Sequence, residues 1–167
     1  MIKFKIIKGL EGYNQAKDFR EKVLKNEMNL PEFSDENEDI AFHIIGREND
    51  EVMCYGRLYK IGDYVFSIDK VCVKKEDRKQ YVGDTILRAL EDKAVGEIAA
   101  FIMVLAPQNA WDFFEHEDYI ALEEYEENGI LYKKMKKDLT KVRGCRGGCH
   151  KWVLRLQTEW DRKIYLM

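Results

Sequence analysis

Apolar and polar residues follow two different periods along this chain, and the change between them predicts a mixed α/β fold. Residues 2–7 alternate with a period of two, which is typical of a short strand. A helix is predicted from Asn14, whose side chain can cap its first turn. Its inner face is formed by apolar residues at helical spacing, namely Ala16, Phe19, Val23 and Leu24. The segment 28–37 is polar and contains a proline, so we expect a loop there.

The middle of the chain predicts a strand pair followed by a buried strand. Residues 40–46 and 52–59 are strand-like and flank an Asn49-Asp50 turn. A second turn at Gly62-Asp63 leads into the apolar run from Val65 to Val73. That run has polar residues at few positions, which is typical of a strand in the interior of a sheet.

A crossover helix and a second apolar strand come next. The helix is predicted from Asp84 to about Ala94, and the strand covers residues 99–105, which predicts a parallel pair of strands. A short helix at 110–116 precedes two more strands, 119–125 and 130–135. These two strands flank Glu127-Asn128-Gly129, a strong hairpin signal. The chain therefore predicts one α/β domain followed by a tail.

Composition narrows the class of protein. The chain has 167 residues, of which 46% are hydrophobic and 35% are charged, as in a soluble single domain. We find no membrane span and no signal-peptide pattern, and a net charge of -3 argues against nucleic-acid binding. Four cysteines do not form a disulfide framework in a chain of this length, so we expect a cytoplasmic location. Cys54 and Cys72 are interpreted as core residues.

The turn between the central strand and the crossover helix is a candidate anion site. The first N–H groups of a helix have no partners within it, and they favour an anion such as a pyrophosphate. Arg78 and Lys79 add positive charge beside these groups, and Gly83 allows a close approach to the backbone.

This turn also resembles a known motif. Val71-x-Val73 followed by Arg78-x-x-x-x-Gly83 resembles the acyl-CoA pyrophosphate loop of the GNAT superfamily of N-acyltransferases, with Tyr81 where the first glycine usually stands. The resemblance spans about residues 2–139 and is closest to the ElaA-like branch. Its further segments are Arg20-x-x-Val23-Leu24-x-x-Glu27, Pro31, Asp35, Asp39, Ala41-Phe42-His43, Gly56-Arg57-Leu58, Ala106, Ala110, Phe113-Phe114-Glu115, Glu127-Asn128-Gly129-Ile130 and Met135.

The resemblance implies a fold, a cofactor and a set of contacts. The fold is a mixed, mostly antiparallel sheet with a central splayed parallel pair and helices on both faces. The domain covers residues 1–139. Residues 140–167 form a C-terminal extension beyond the resemblance, which we expect to pack on the domain or on a second subunit. The cosubstrate is acetyl-CoA, and no metal is required. The implied contacts with it are Val71, Cys72, Val73, Arg78, Lys79, Gln80, Tyr81, Val82, Gly83, Asp84, Thr85, Asn109, Phe113 and Phe114.

The implied reaction is direct transfer of an acetyl group from acetyl-CoA to a primary amine in a ternary complex. The family commonly has a tyrosine at the position of Phe114 to protonate the CoA sulfur, and a phenyl ring cannot donate a proton. Tyr119, Tyr132 and His116 are candidate replacements, and water is the alternative proton donor to the sulfur. Asp69 is a candidate base. His43 is interpreted as a hydrogen-bonded core residue.

Two other functions stay open. A chain that keeps the CoA loop without efficient chemistry would be an acyl-CoA-binding sensor or regulatory protein. A metal- or redox-responsive module is a third reading, because Cys145, Cys149 and His150 offer three soft ligands in the tail. The acidic segments 32–39 and 115–127 suggest a cleft that attracts a cationic amine, and the apolar residues of the tail suggest a homodimer.

Overall fold

A seven-stranded sheet forms the centre of the molecule. The structure is a computed structural model and describes residues 1–78 and 80–140. The strands, in chain order, are β1 (Lys3–Lys8), β2 (Phe42–Glu48), β3 (Glu51–Gly62), β4 (Val65–Val73), β5 (Phe101–Pro107), β6 (Ile120–Glu127) and β7 (Ile130–Asp138). Their order in the sheet is β1-β2-β3-β4-β5-β7-β6, and β4–β5 is the parallel pair among antiparallel neighbours. The predicted mixed, mostly antiparallel sheet is confirmed.

Helices cover both faces of this sheet. They are α1 (Leu10–Arg20), which continues as a π-helical segment (Glu21–Glu27), then α2 (Val82–Gly96) and α3 (Trp111–His116). Short 3₁₀ turns cover Glu36–Asp39, Lys75–Asp77 and Gln108–Ala110. None of the helices in the described ranges combines the length and apolar composition needed to cross a bilayer. The extension from residue 141 onward lies outside the described residues.

Each face of the sheet has its own hydrophobic core. The α2 face is the larger core and contains Ile86, Leu87 and Leu90 of the helix, packed on strand residues such as Ile68 and Val104. The α1 face is smaller and contains Ala16, Val23, Leu24, Ile7, Ile45, Tyr55 and Cys72. Cys54 and Cys72 are both buried and unpaired with one another, which confirms that they are core residues.

Two tight hairpins confirm the turn predictions. Asn49 and Asp50 join β2 to β3 with φ of 49° and 67°. Asn128 and Gly129 join β6 to β7 with φ of 53° and 77°. Positive φ at both central residues matches the right-handed twist of the flanking strands, which is why asparagine, aspartate and glycine are favoured there.

Helix α1 begins earlier than predicted, so the capping role assigned to Asn14 is wrong. The helix begins at Leu10, after Gly9 with φ of 77°, and the Gly9 amide donates to the Ala41 carbonyl at 2.9 Å. Position 12, inside the helix, is a glycine because a Cβ there would come within 2.5 Å of the His43 ring. Exposed Leu10 and two glycines gave no helical signal in the sequence.

The parallel pair separates beyond its fourth register position. Val65–Ile68 of β4 pairs with Phe101–Val104 of β5, and the two strands then continue to Val73 and Pro107 with no shared register. A bulge in β4 accompanies the separation, because Tyr55 faces Cys72 while Arg57 faces Asp69. Lys70, inside this bulge, has φ of 53°. The predicted splayed central pair is therefore confirmed, and it leaves the outer half of β4 open towards β5.

Candidate active site

The β4–α2 turn presents the amino end of a helix. Helix α2 begins at Val82, two residues before the predicted start, and follows Tyr81 in a left-handed conformation with φ of 61°. Within the described part of the chain, no side chain caps this end. The Thr85 amide and hydroxyl both contact the Tyr81 carbonyl, at 3.0 and 2.8 Å. The amides of Val82, Gly83 and Asp84 therefore point out of the helix as the donors that suit an anion.

Gly83 lies in the first turn of α2, where it faces an aromatic ring. A Cβ at this position would lie 3.3 Å from Cε2 of Phe113 on α3. Gly83 does not have a positive φ, so its conformation is open to other residues. A side chain at position 83 would therefore require the Phe113 ring to shift by a few tenths of an ångström.

Arg78 is tied down by two partners at the start of the same turn. Its Nε donates to the Val73 carbonyl at 3.0 Å, and its Nη2 lies 2.5 Å from the Glu27 carboxylate at the end of the π-helical segment. Gln80 also bonds locally, to the Glu76 carbonyl. Arg78 thus links the turn to the helix on the other face of the sheet. Lys79 lies outside the described residues.

A cavity of about 330 Å³ opens where β4 and β5 separate. Four of the site residues predicted from sequence line it: Asp69, Val71, Phe114 and Tyr132. The opposite wall comes from the π-helical segment and the loop after it. The remaining lining residues are Leu24, Met28, Leu30, Pro31, Phe33, Tyr59, Ser67, Ile68, Lys70, Val104, Leu105, Pro107, Ala110 and Glu127.

Other residues predicted from sequence do not line the cavity, among them Cys72, Val73, Asn109, Phe113, His116 and Tyr119. Cys72 points into the core on the α1 face, and Asn109 is exposed on the turn after β5, outside the cavity lining. Tyr119 is buried, and its hydroxyl donates to Glu91 on α2 at 2.9 Å. Burial and the Glu91 charge raise the pKa of Tyr119. Its hydroxyl is thus engaged away from the cavity.

Two tyrosines of the cavity wall keep their protons at neutral pH. Burial, followed by the nearby Glu127 charge, raises the pKa of Tyr132 above its usual value. Burial, followed by the Asp69 charge, likewise raises the pKa of Tyr59. Sequence reasoning missed Tyr59 because a tyrosine in a strand carries no signal of which cavity it faces. Both phenols are therefore available as proton donors.

A buried arginine holds Asp69 at the edge of this cavity. Arg57 on β3 is 1% exposed, and its Nε and Nη2 donate to the two Asp69 oxygens at 2.7 and 2.6 Å. It also donates to both oxygens of Asp35, at 2.8 and 2.9 Å, and lies 3.0 Å from Glu38. Burial lowers the pKa of Arg57, but the bonds to Asp69 and Asp35 outweigh it and raise the net value. Burial raises the pKa of Asp35, but Arg57 outweighs it and lowers the net value.

A second buried arginine continues the ion pairs back to β4. Arg20, at the end of α1, lies 2.6 Å from Glu32 and 3.0 Å from Glu38. Glu32 in turn lies 3.1 Å from Nζ of Lys70, the bulge residue next to Asp69. We call these seven side chains the charge ring: Arg20, Glu32, Asp35, Glu38, Arg57, Asp69 and Lys70. The ring fastens the loop after α1 to the bulge of β4.

His43 is hydrogen-bonded to a member of the charge ring, Glu38, and does not line the cavity. Its Nδ1 lies 2.7 Å from the Tyr55 hydroxyl, and its Nε2 lies 3.2 Å from the Glu38 carbonyl. A neutral ring protonated on Nε2 satisfies both contacts, since Arg20 donates to Tyr55 and Tyr55 then donates to Nδ1. Burial lowers the pKa of His43. The interpretation of His43 as a hydrogen-bonded core residue is confirmed.

This arrangement is the GNAT fold of N-acyltransferases: a sheet whose central parallel pair separates beside an uncapped helix. Residues 9–139 match the family described as an acetyltransferase (GNAT) domain, and the chain belongs to that family. An N-acyltransferase activity that uses acyl-CoA goes with this family.

Individual relatives agree with this assignment. The chain is 31% identical over 141 residues to the uncharacterized N-acetyltransferase YjcF of Bacillus subtilis, covering 82% of this chain and 100% of YjcF. Crystal structures of Escherichia coli ElaA and of an acyl-CoA N-acyltransferase from Pseudomonas aeruginosa have the same fold. Their TM-scores are 0.72 and 0.70 at 22% and 17% identity, over 83% and 82% of this chain and 100% and 99% of theirs.

The described residues contain no candidate metal site that would support the metal hypothesis. Among residues 1–78 and 80–140, no group of three or more histidine, cysteine, aspartate or glutamate side chains could hold a metal ion. Cys145, Cys149 and His150 lie outside the described residues.

Proposed function

We propose that this protein is an N-acetyltransferase that transfers the acetyl group of acetyl-CoA directly to a primary amine in a ternary complex. The observation that carries the proposal is the cleft between β4 and β5. The cavity at Asp69 and Val71 lies in this cleft, and β4 continues from there to the turn that precedes the uncapped end of α2. A cosubstrate with an anionic diphosphate at one end and a thioester at the other suits this pair of sites.

The polypeptide backbone performs the binding in this proposal. The amides of Val82, Gly83 and Asp84 receive the diphosphate, with the remaining residues of the 78–85 turn around it. The outer half of β4, from Val71 to Val73, pairs with the pantetheine arm as an added strand would. An amide in the same stretch donates to the thioester oxygen as negative charge develops there. Phe113 and Phe114 then form the wall beside the sulfur.

The transfer itself forms one bond and breaks one. The amine nitrogen attacks the thioester carbon, the carbon–sulfur bond breaks, and the thiolate takes up a proton while the amine loses one. We propose Tyr132 as the donor to the sulfur, because it lines the cavity with a protonated hydroxyl. Tyr119 no longer fits that role, since its hydroxyl contacts Glu91. Asp69 is a poor base because both of its oxygens already accept hydrogen bonds from Arg57.

A specific observation keeps the second function open. Phe114 is buried in the cavity wall and carries no proton donor, and Tyr119 behind it is turned towards Glu91. A protein that binds acyl-CoA in the cleft but turns it over poorly would be a sensor or regulatory protein. A cytoplasmic location and a homodimer formed through the tail stay predictions.

Two measurements test the proposal. Calorimetry with acetyl-CoA asks whether the cleft binds the cosubstrate, and release of free CoA thiol across a panel of amines asks whether transfer occurs. Binding with amine-dependent thiol release supports the transferase. Binding without release for any amine supports the sensor, and the absence of binding refutes both.

A Phe114→Tyr variant examines the missing donor directly. A hydroxyl at this position should hold or raise turnover, because it adds a proton donor to the cavity wall. The measurement is kcat with saturating acetyl-CoA, with cosubstrate affinity determined in parallel. Loss of acetyl-CoA binding in this variant would contradict the placement of Phe114 beside the sulfur.

A further inference from the structure

The charge ring carries one more negative charge than positive. Its three cations are Arg20, Arg57 and Lys70, and its four carboxylates are Glu32, Asp35, Glu38 and Asp69, so the described members sum to -1. His43 is the titratable neighbour packed against the ring, with its Nε2 3.8 Å from the Glu38 carboxylate. It does not supply the missing charge, because its hydrogen bonds fit a neutral imidazole and burial lowers its pKa. Unbalanced charge is costly in a buried network. Among the described residues, the ring therefore has no cation to match its fourth carboxylate.

Two carboxylates of the ring are partly exposed, and one of them faces the cavity. Arg20, Arg57 and Glu38 are at most 1% exposed, whereas the Asp35 and Asp69 side chains are each 23% exposed. Asp69 lines the cavity directly. The charged residues that line the cavity also sum to one negative charge, because Asp69 and Glu127 are negative and Lys70 is positive. Lys70 is already paired with Glu32 at 3.1 Å. A cation that enters the cavity would complete the charge balance.

That cation should not be the reacting amine. An ammonium paired with a carboxylate holds its proton more tightly, and the nucleophile must lose its proton before it attacks. A second, permanently charged group on the acceptor has no such conflict. Apolar wall residues such as Leu30 and Val104 can contact the carbon spacer between the two nitrogens.

We infer that the acceptor is a dibasic amine, whose second ammonium pairs with Asp69, held beside Asp35 by Arg57, while its first nitrogen attacks the thioester. This inference rests on the proposed transferase function. Asp69 lies two residues before Val71, where we place the thioester, so the two sites are at most about 7 Å apart along the strand. A spacer of about four carbon atoms spans such a distance. Asp69 and Asp35 are then residues that determine specificity, and Arg57 is their positioning residue.

Three amines of equal length test the inference. They are 1,4-diaminobutane, 4-aminobutan-1-ol and 4-aminobutanoate, which end in a cation, a neutral hydroxyl and an anion. The measurement is kcat/KM for each, from thiol release at saturating acetyl-CoA. We expect the diamine to be preferred by about 10- to 100-fold over the amino alcohol, as for a hydrogen bond to a charged group. The aminobutanoate should be the poorest of the three.

Variants of the charge ring test whether its carboxylates cause the preference for the diamine. Asp69→Asn should reduce the ratio of diamine to amino alcohol by about tenfold, because it removes the charge but keeps an acceptor for Arg57. Asp35→Asn provides the same readout if Asp69→Asn does not fold. Glu126→Gln is the matched control, since it removes a negative charge from the same end of the molecule outside the cavity lining. This control should keep the ratio of the unmodified protein.

The outcomes separate the two proposals. Equal kcat/KM for the three amines, or a ratio that Asp69→Asn and Asp35→Asn leave unchanged, refutes the dibasic acceptor while the transferase stands. A ratio that Glu126→Gln lowers as much as Asp69→Asn does also refutes it, because the effect would then be one of overall charge. Failure to bind acetyl-CoA refutes the proposed function and the inference with it.

Discussion

Arg57 is the residue whose loss should disturb this fold most clearly. Its guanidinium contacts three carboxylates, on Asp69, Asp35 and Glu38, at distances from 2.6 to 3.0 Å, and it is 1% exposed. Arg57→Met keeps most of the length of the side chain and removes the charge. The three carboxylates would then face one another without their common partner. Removing one member of a buried ion pair costs about 3–5 kcal/mol, and we expect a loss of that size.

Urea denaturation at neutral pH measures this loss as a change in the free energy of unfolding. A decrease of about 3–5 kcal/mol corresponds to a fall in Tm of roughly 6–20 °C for a chain of this size. The matched control is Arg88→Met, because Arg88 is exposed on α2. We expect that control to change stability by no more than about 0.5 kcal/mol.

A double variant separates lost charge from lost packing. Adding Asp69→Asn to Arg57→Met removes one of the stranded carboxylates, so the two changes together should cost less than their sum by about 1 kcal/mol or more. Additive effects, or a loss below about 1 kcal/mol for Arg57→Met alone, would refute the view that the charge ring fastens the loop to β4.

Three further predictions concern the cleft, the donor and the buried histidine. Gly83→Val should weaken acetyl-CoA binding about tenfold in calorimetry, because the added side chain displaces Phe113 from 3.3 Å away or shifts the helix start. Tyr132→Phe should lower kcat by about 10- to 100-fold with unchanged cosubstrate affinity, since it removes the proposed proton donor. His43 has a lowered pKa in the fold, so the unfolded chain binds its proton more readily. Its contribution to stability is complete above the ordinary pKa of about 6.5 and is lost as pH falls towards the folded pKa. Urea titrations should show this decline between pH 7 and 5, and His43→Gln should flatten it, whereas His116→Gln should not.

Matched controls accompany each of these changes. Gly96→Val tests the valine itself, because a Cβ at Gly96 meets nothing within 4 Å. Tyr125→Phe tests the ring that stacks on Tyr132 at 5.9 Å between centroids but does not line the cavity. Unchanged acetyl-CoA affinity in Gly83→Val would remove the assignment of the diphosphate to this turn. A kcat within twofold of the unmodified protein in Tyr132→Phe would exclude it as the donor. A pH profile that His43→Gln leaves unchanged would assign the acid sensitivity to other groups.

Local pattern was enough to predict most elements of the fold. The hairpins at Asn49-Asp50 and Asn128-Gly129 follow from residues that tolerate positive φ, and both hairpins are present. The crossover helix follows from Ile86, Leu87, Leu90 and Ala94, all of which are buried. Such signals depend on a few neighbouring residues, so they can be recognised without the rest of the chain. The start of α1 was mispredicted because its reason lies elsewhere, in the contacts of Gly9 with Ala41 and of Gly12 with His43.

The candidate site could be predicted only in part, because some of its contacts join residues that are distant in the sequence. The β4–α2 turn is continuous in sequence, and the motif around Arg78 and Gly83 identified it. The cavity joins residues far apart in the chain, and nothing local marks Tyr59 or Lys70 as members of its wall. Likewise, the sequence shows that Tyr119 is near Phe114, but the Glu91 contact that occupies its hydroxyl crosses 28 residues.

By itself the sequence determined the order of strands and helices, the strand-to-helix turn that we propose as the diphosphate site, and the family. Only the tertiary structure decided which side chains share the cavity, that Arg57 holds Asp69 and Asp35 together, and that the described members of the ring sum to one negative charge. Hydrogen bonding and side-chain periodicity act between near neighbours, so they are encoded locally. Charge balance is a sum over groups that only folding brings together, and that sum selects the acceptor proposed for this protein.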